Sequence, residues 1–419
     1  MYRILRKFFK DKLTTKTIKN NGGINIMNYM GKRLVHTPEG VRDIYGSEYA
    51  AKQNIEKLFH DKLHSFGYQD IQTPTFEFFD VFSREIGTIP SKDLYKFFDK
   101  EGNTLVLRPD FTPSIARCAA KYFMDETIPL RFCYAGNNFI NTDNLQGKLK
   151  ETTQMGAELI GDASPEADAE LIAMLVEALS HAGLKEFQIS IGQIDFFKGL
   201  CAYADLEEET ELALREFISN RNDFGAQELL LSKNITNDRM ESLLRVNSLF
   251  GSYDILDEAL HVANNPRSIQ AVERLKQVYE LLKLYHVEQY ISFDLAMVSK
   301  YNYYTGIIFN AFTYKTGSAI AKGGRYDNLL EKFGKPAPAT GFVVNIDDLV
   351  LAMTRQNLCP LPENKNMLLV YSCDTAKAVQ EAKKQREAGW SVVMLKKVKD
   401  KEIYQTFADT NHFAQVIFL

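Results

Sequence analysis

The residues whose types suit chemistry gather around the stretch Arg131–Glu158, RFCYAGNNFINTDNLQGKLKETTQMGAE. Gln154 and Glu158 stand four apart there, an amide and a carboxylate on what reads as a single strand. Upstream, Asp110 in LRPDFT sits among apolar strand residues, where a buried carboxylate needs a partner. Each residue also has an ordinary explanation. Thr112 followed by Pro113 reads as an N-cap and the first residue of a helix reaching Tyr122. Gln154 with Glu158 reads as a sheet-surface pair, and Tyr303 with Tyr304 as core. The loop TDNLQG carries turn-formers and almost no cation, which leaves little to hold a phosphate.

The elements that must position these residues follow from periodicity. RFCYAGNNFI and KETTQMGAEL read as antiparallel strands, and YKFFDKEGNTLVLRP as a hairpin turning at Glu101-Gly102-Asn103. Ser47 to Phe66 has apolar residues at helical spacing and is closed by Gly67. Tyr68 to Pro74 reads as a short strand suited to an edge or an interface, since Pro74 cannot donate to a ladder. A helix is expected over Pro165–Ala182, a strand over Phe187–Ile191 and helices throughout Leu206–Leu284. Strands are expected at Tyr290–Met297, Ile307–Tyr314, Gly317–Ala321 and Gly341–Val344, with AKGGRYDNLLEKFG turning into a helix and another helix at Asp347–Arg355. After the linker around Pro360–Asn364, strands and helices alternate as βαβαβ.

Composition narrows the class. A chain of 419 residues with 45% hydrophobic content can bury a full core and divides into two or three domains. A net charge of -4 gives no basic footprint for nucleic acid, and no apolar run is long enough to span a bilayer. The five cysteines, Cys118, Cys133, Cys201, Cys359 and Cys373, show no CxxC pair and no histidine cluster nearby. They read as reduced core residues of a cytoplasmic protein, with no metal site. No glycine-rich phosphate loop is present, because Gly323-Gly324 lacks the following Lys-Ser/Thr. The basic residues 1–30 read either as a targeting helix or as an untranslated leader ahead of a true start at Met27 or Met30.

Taken in order, the blocks from about Leu34 to Met353 resemble the class II aminoacyl-tRNA synthetase catalytic domain, and within it the histidyl branch. TPEGVRD is similar to the opening segment, and Ser47–Pro74 to the dimer-forming first class motif. LRPDFT resembles LRPEGT, and Tyr303-Tyr304 in SKYNYYTG resembles RGLDYY. AKGGRYDNL and PAPATGF are similar to the strands leading into the third motif. The fold implied is α+β: an antiparallel sheet flanked by helices over residues 31–358, a helical insertion at about 206–285, and a small C-terminal α/β domain at 364–419.

The departures fall on the cations. Where the family has FRHE this chain has Phe139-Ile140-Asn141-Thr142, so Ile140 replaces an arginine that grips ATP. Where it has Gly-Leu-Glu-Arg the chain has Asn345-Ile346-Asp347-Asp348, and a carboxylate at Asp348 repels phosphate. Ser299 replaces the arginine of RGLDYY, and the neighbouring Lys300 points to the other face of an extended chain. Losing one such contact costs roughly 100- to 1000-fold in rate. The resemblance therefore argues against adenylate formation.

The amino-acid pocket keeps its polar groups. By resemblance, Asp110, Thr112 and Gln154 accept hydrogen bonds from a histidine α-ammonium, while Glu158 and the Tyr303-Tyr304 pair, Tyr304 in particular, address the imidazole; Asp110 is one carbon shorter than the family's glutamate. A synthetase-like fold with this pocket and without ATP cations resembles the regulatory-subunit family of ATP phosphoribosyltransferase. That resemblance implies no catalytic residue and no cofactor on this chain. It also implies a short-form catalytic partner in a hetero-oligomer, self-association as a dimer through residues 47–74, and L-histidine as feedback effector. The alternatives are an active histidyl-tRNA synthetase and a stand-alone amino-acid- or tRNA-binding sensor.

Overall fold

The computed structural model describes residues 35–83, 89–142, 149–297, 303–360 and 363–419. The N-terminal extension, the loop centred on Asn144-Leu145-Gln146, and Ser299 lie outside them. The chain divides at Asp43 into two units. In the described part of the first, a turn is closed by Thr37 Oγ1 donating to the Val41 carbonyl at 3.0 Å.

The second unit begins with α1 (Gly46–Ser65), β1 (Gln69–Asp70), β2 (Phe76–Phe78), β3 (Lys96–Phe98), β4 (Thr104–Leu107) and α2 (Thr112–Tyr122). The hairpin β5 (Leu130–Phe139) and β6 (Glu151–Ile160) follows, then α3 (Pro165–His181), β7 (Phe187–Gln193) and α4 (Ile194–Tyr203). A mostly helical stretch carries α5 (Glu208–Ser219), α6 (Asp223–Ser232), α7 (Asn237–Arg245), β8 (Phe250–Gly251), α8 (Ile255–Val262) and α9 (Pro266–Leu284). The chain then returns through β9 (Ile291–Asp294), β10 (Ile307–Thr313), β11 (Ala321–Arg325), β12 (Ala339–Asn345) and α10 (Ile346–Gln356).

Nine of these strands form one sheet in the order β1-β5-β6-β12-β11-β10-β7-β9-β8, while β2, β4 and β3 form a small separate one. The large sheet is antiparallel except where β1 runs parallel to β5 and β7 parallel to β9. As the sequence implied, β1 is an edge strand. One expectation is corrected: the strand placed at Gly317–Ala321 lies at Ala321–Arg325, so Ala-Lys-Gly-Gly-Arg is ladder rather than turn. Pairing on both sides, to β10 and β12, overrides the poor strand propensity of paired glycines.

The core lies beneath the sheet, where Met155, Ala157, Leu159, Phe342 and Val344 meet α3. That helix is started by Ser164, whose hydroxyl accepts from the Ala167 amide, and by Pro165 in its first turn. It is buried along nearly its whole length, packed against α1 on one side and α9 on the other. A buried cluster locks it to the sheet: Asp168 holds both Arg274 and Arg325 at 2.7 Å.

The C-terminal elements are β13 (Asn366–Tyr371), α11 (Thr375–Glu387), β14 (Ser391–Lys396), α12 (Lys401–Thr410) and β15 (Gln415–Phe418), a parallel sheet in the order β14-β13-β15. Its central strand is apolar on both faces because each is covered. Leu368 and Val370 pack on Tyr404 and Ala408, and Leu369 on Ala378 and Ala382.

Candidate functional site

Register partners share a face of a sheet, and the face opposite the core is unusual in composition. It carries Tyr134 and Gly136 on β5, Gln154, Gly156 and Glu158 on β6, Gly341 on β12 and Gly324 on β11. The glycines are the floor on which larger side chains lie. A Cβ on Gly341 would sit 1.6 Å from Glu158 Oε2, on Gly156 2.5 Å from the Tyr134 hydroxyl, and on Gly136 2.7 Å from Arg108 Nη2. On Gly324 it would meet the Tyr304 ring at 2.8 Å. Sequence reasoning missed this floor, although the alternation Tyr134-x-Gly136 and Gln154-x-Gly156-x-Glu158 was its signal.

Glu158 is the centre of the site. It is 1% exposed, and both its oxygens are held: Thr112 Oγ1 donates to Oε1 at 2.9 Å and the Tyr326 hydroxyl to Oε2 at 2.5 Å. Burial pushes its carboxyl up to about 8; the Tyr326 and Thr112 hydroxyls oppose that rise, and Asp110 adds to it. Thr112 is therefore not the cap the sequence suggested. It is the first helical residue of α2, after Phe111, and its hydroxyl proton goes to Glu158 while its oxygen can still accept. Tyr326, absent from the sequence-based site, is buried beside Glu158, and burial holds its hydroxyl protonated as a donor.

The other expected residues surround this carboxylate. Asp110 is half-buried, accepts from the Thr112 amide at 3.3 Å, and is raised in pKa by burial. Tyr303 and Tyr304 lie with ring centres 4.6 Å apart, and Tyr303 meets Tyr326 edge-on at 6.0 Å. The Gln154 side-chain oxygen Oε1 and the Tyr134 hydroxyl are buried without a hydrogen-bond partner among the described residues. The Tyr134 ring stacks on Phe111 at 4.5 Å, and Arg108 lies 4.0 Å over the other partner of that stack, Phe111. Arg108 is fixed by donating Nε to the Asn137 carbonyl and Nη1 to that of Thr73. The site thus offers an unpartnered buried acceptor, a titratable carboxyl and flat aromatic walls. Such a set suits a small molecule carrying an ammonium group and a planar N–H donor ring.

The end of the sheet where a synthetase would hold ATP is built differently. Ile140 follows β5, its amide donating to the Lys150 carbonyl at 2.9 Å. Asn345 caps α10 by accepting from the Asp347 and Asp348 amides. Asp347 faces inward. It binds Lys52 Nζ at 2.7 Å through Oδ1 and accepts from the Thr153 amide at 2.7 Å through Oδ2. Lys52 also donates to Thr153 Oγ1 at 2.6 Å, so this buried cation is consumed by the protein itself. Asp348 stands in the first turn of α10, where its charge suits the helix dipole.

Fold and site together define a class II synthetase-like domain with a cluster of buried polar groups on one face of its sheet. The family profile described as Histidyl-tRNA synthetase matches residues 40–349. An ATP phosphoribosyltransferase regulatory subunit of Acetivibrio thermocellus is 44% identical over 78% of this chain and 79% of its own. One from Thermoanaerobacter pseudethanolicus is 38% identical over 92% and 99%. A solved ATP phosphoribosyltransferase regulatory subunit/histidyl-tRNA synthetase of Bacillus halodurans superposes with a TM-score of 0.82 at 34% identity, covering 92% and 98%. A Nostoc histidyl-tRNA synthetase shares the fold, with a TM-score of 0.77 at 20% identity over 90% of each chain. The chain belongs to the histidyl-tRNA synthetase-like family of ATP phosphoribosyltransferase regulatory subunits.

Proposed function

We propose that this chain is the non-catalytic regulatory subunit of ATP phosphoribosyltransferase, required for the first step of histidine biosynthesis and for its inhibition by histidine. The reading rests above all on one contrast: Glu158 and the unpartnered Gln154 oxygen stand ready for an amino acid, while Ile140 occupies the arginine position that ATP needs. Catalysis then belongs to a short-form partner chain in a cytoplasmic hetero-oligomer. The regulatory chain self-associates through residues 47–74, with residues 31–358 as the core, its insertion at about 206–285, and residues 364–419 as a small domain with no role in binding RNA. L-histidine is the effector, its α-ammonium held by Asp110, Thr112 and Gln154 and its ring by Glu158 and the Tyr303-Tyr304 pair.

Histidine acts at a distance only if it favours one arrangement of a two-state assembly. A micromolar constant corresponds to about -8 kcal/mol, within reach of such a pocket. The test is co-expression with the short catalytic chain and measurement of phosphoribosyl-ATP formation with and without histidine. The expected result is activity that requires this chain and falls with histidine. Histidine-dependent ATP–pyrophosphate exchange by this chain alone would instead establish a synthetase.

A further inference from the structure

A second cluster of reactive side chains lies away from the glycine-floored face. His60 and His64 are four apart on α1 and so share one side of the helix. Both reach Asp70, His60 Nε2 at 2.6 Å from Oδ1 and His64 Nε2 at 3.0 Å from Oδ2. Asp70 is the register partner of Cys133 in the parallel β1/β5 pair, and Cys133 Sγ lies 3.5 Å from Asp70 Oδ1. The sequence placed no histidine cluster near any cysteine. In space Cys133 has two imidazoles beside it, because the strand pairing joins segments that are remote along the chain.

We propose that His60, His64, Asp70 and Cys133 form a binding site for a divalent transition-metal ion of the zinc type. One donor atom from each residue lies within 4.8 Å of all the others. A tetrahedral zinc ion with two imidazole nitrogens, a carboxylate oxygen and a thiolate needs donors about 3.3–3.8 Å apart. Sub-ångström side-chain adjustments therefore close the cluster on an ion. The donor set of two nitrogens, one oxygen and one sulfur is one that zinc and cobalt accept and that calcium and magnesium do not. Access is open on the histidine side, since His60, His64 and Asp70 side chains are 33%, 42% and 59% exposed.

Binding needs no redox partner. Each neutral imidazole moves its proton from Nε2 to Nδ1, freeing Nε2 for the ion, and the Cys133 thiol releases one proton to solvent as the sulfur–metal bond forms. The ion would join α1 to the edge of the sheet at β1 and β5. The donor geometry does not depend on the function assigned above, but His60, His64 and Asp70 lie within the segment 47–74 proposed for self-association, so the site stands at that interface and the exposures are those of the single chain. Its rival is a carboxylate that only accepts hydrogen bonds from two imidazoles, which would retain no metal.

The test uses the full-length chain, stripped with chelator and dialysed against zinc or cobalt. Expected are a single ion per chain by elemental analysis and a sulfur-to-cobalt charge-transfer band that Cys133→Ser abolishes. His64 is exposed, so His64→Ala keeps the fold, checked by circular dichroism, and weakens binding by roughly 10- to 100-fold or more. Substoichiometric metal, equal binding by wild type and His64→Ala, or cobalt bound without the sulfur band would each overturn the site.

Discussion

The two faces of one sheet have been put to opposite uses. On the Glu158 face, polar groups are buried with capacity to spare: among the described residues the Gln154 side-chain oxygen has no partner, and burial pushes the Glu158 carboxyl up to about 8. On the other face, where Thr153 alternates with Gln154 and points with Met155 toward α1, polar groups are buried in pairs that satisfy one another. Lys52, Asp347 and Thr153 bond to one another in a closed network. Unspent hydrogen-bonding capacity costs stability and is tolerated where a ligand redeems it; spent capacity is scaffold. On the proposed reading, the difference separates a binding site from scaffold without appeal to any reaction.

The strongest way to break the comparison is at the closed face. Asp347→Ala leaves Lys52 buried without its counter-charge, and a loss of about 3–5 kcal/mol is expected in denaturant unfolding. A loss under about 1 kcal/mol would mean that the network is solvated rather than structural. On the open face, Gly341→Ala places a methyl where Glu158 Oε2 lies. About 1–3 kcal/mol of stability should go, together with calorimetric binding of histidine, because Glu158 must swing off the floor.

A smaller effect comes from titration. The Glu158 pKa is raised from 4.5 to about 8 on folding, so the folded chain binds more protons than the unfolded one across that window. The contribution is fully present below 4.5 and disappears as pH rises through about 8. Melting of the wild type should therefore fall across this range relative to Glu158→Gln, which holds the neutral shape at every pH. Parallel curves would show that Glu158 is not perturbed. The smallest effect is expected from Ile140→Arg: no pyrophosphate exchange should appear, since Asp348 still opposes phosphate and Lys52 remains engaged.

Local signals carried much of this in the sequence. The β5/β6 hairpin, the edge strand before Pro74 and the helix after Pro113 are where turn chemistry, proline and periodicity put them. What periodicity does not report is which strands become neighbours. Tyr326 reaches Glu158 only because β11 lies beside β12 and β12 beside β6, and the same pairing turns Gly341 into floor. Thr112 looked like a cap because capping is a local property, whereas its bond to Glu158 spans 46 positions. Asp70 and Cys133 meet through a parallel pairing that neither segment announces.

The central claim is that the Glu158 face of the sheet is a working histidine sensor. The most direct test is the histidine inhibition curve of phosphoribosyl-ATP formation, measured on the complex with the catalytic chain carrying either wild-type or Glu158→Gln regulatory subunit. Weakening of the Glu158 bond to the imidazole N–H should move the midpoint to roughly 2- to 10-fold higher histidine. Two superimposed curves would contradict the account and place the regulatory histidine elsewhere.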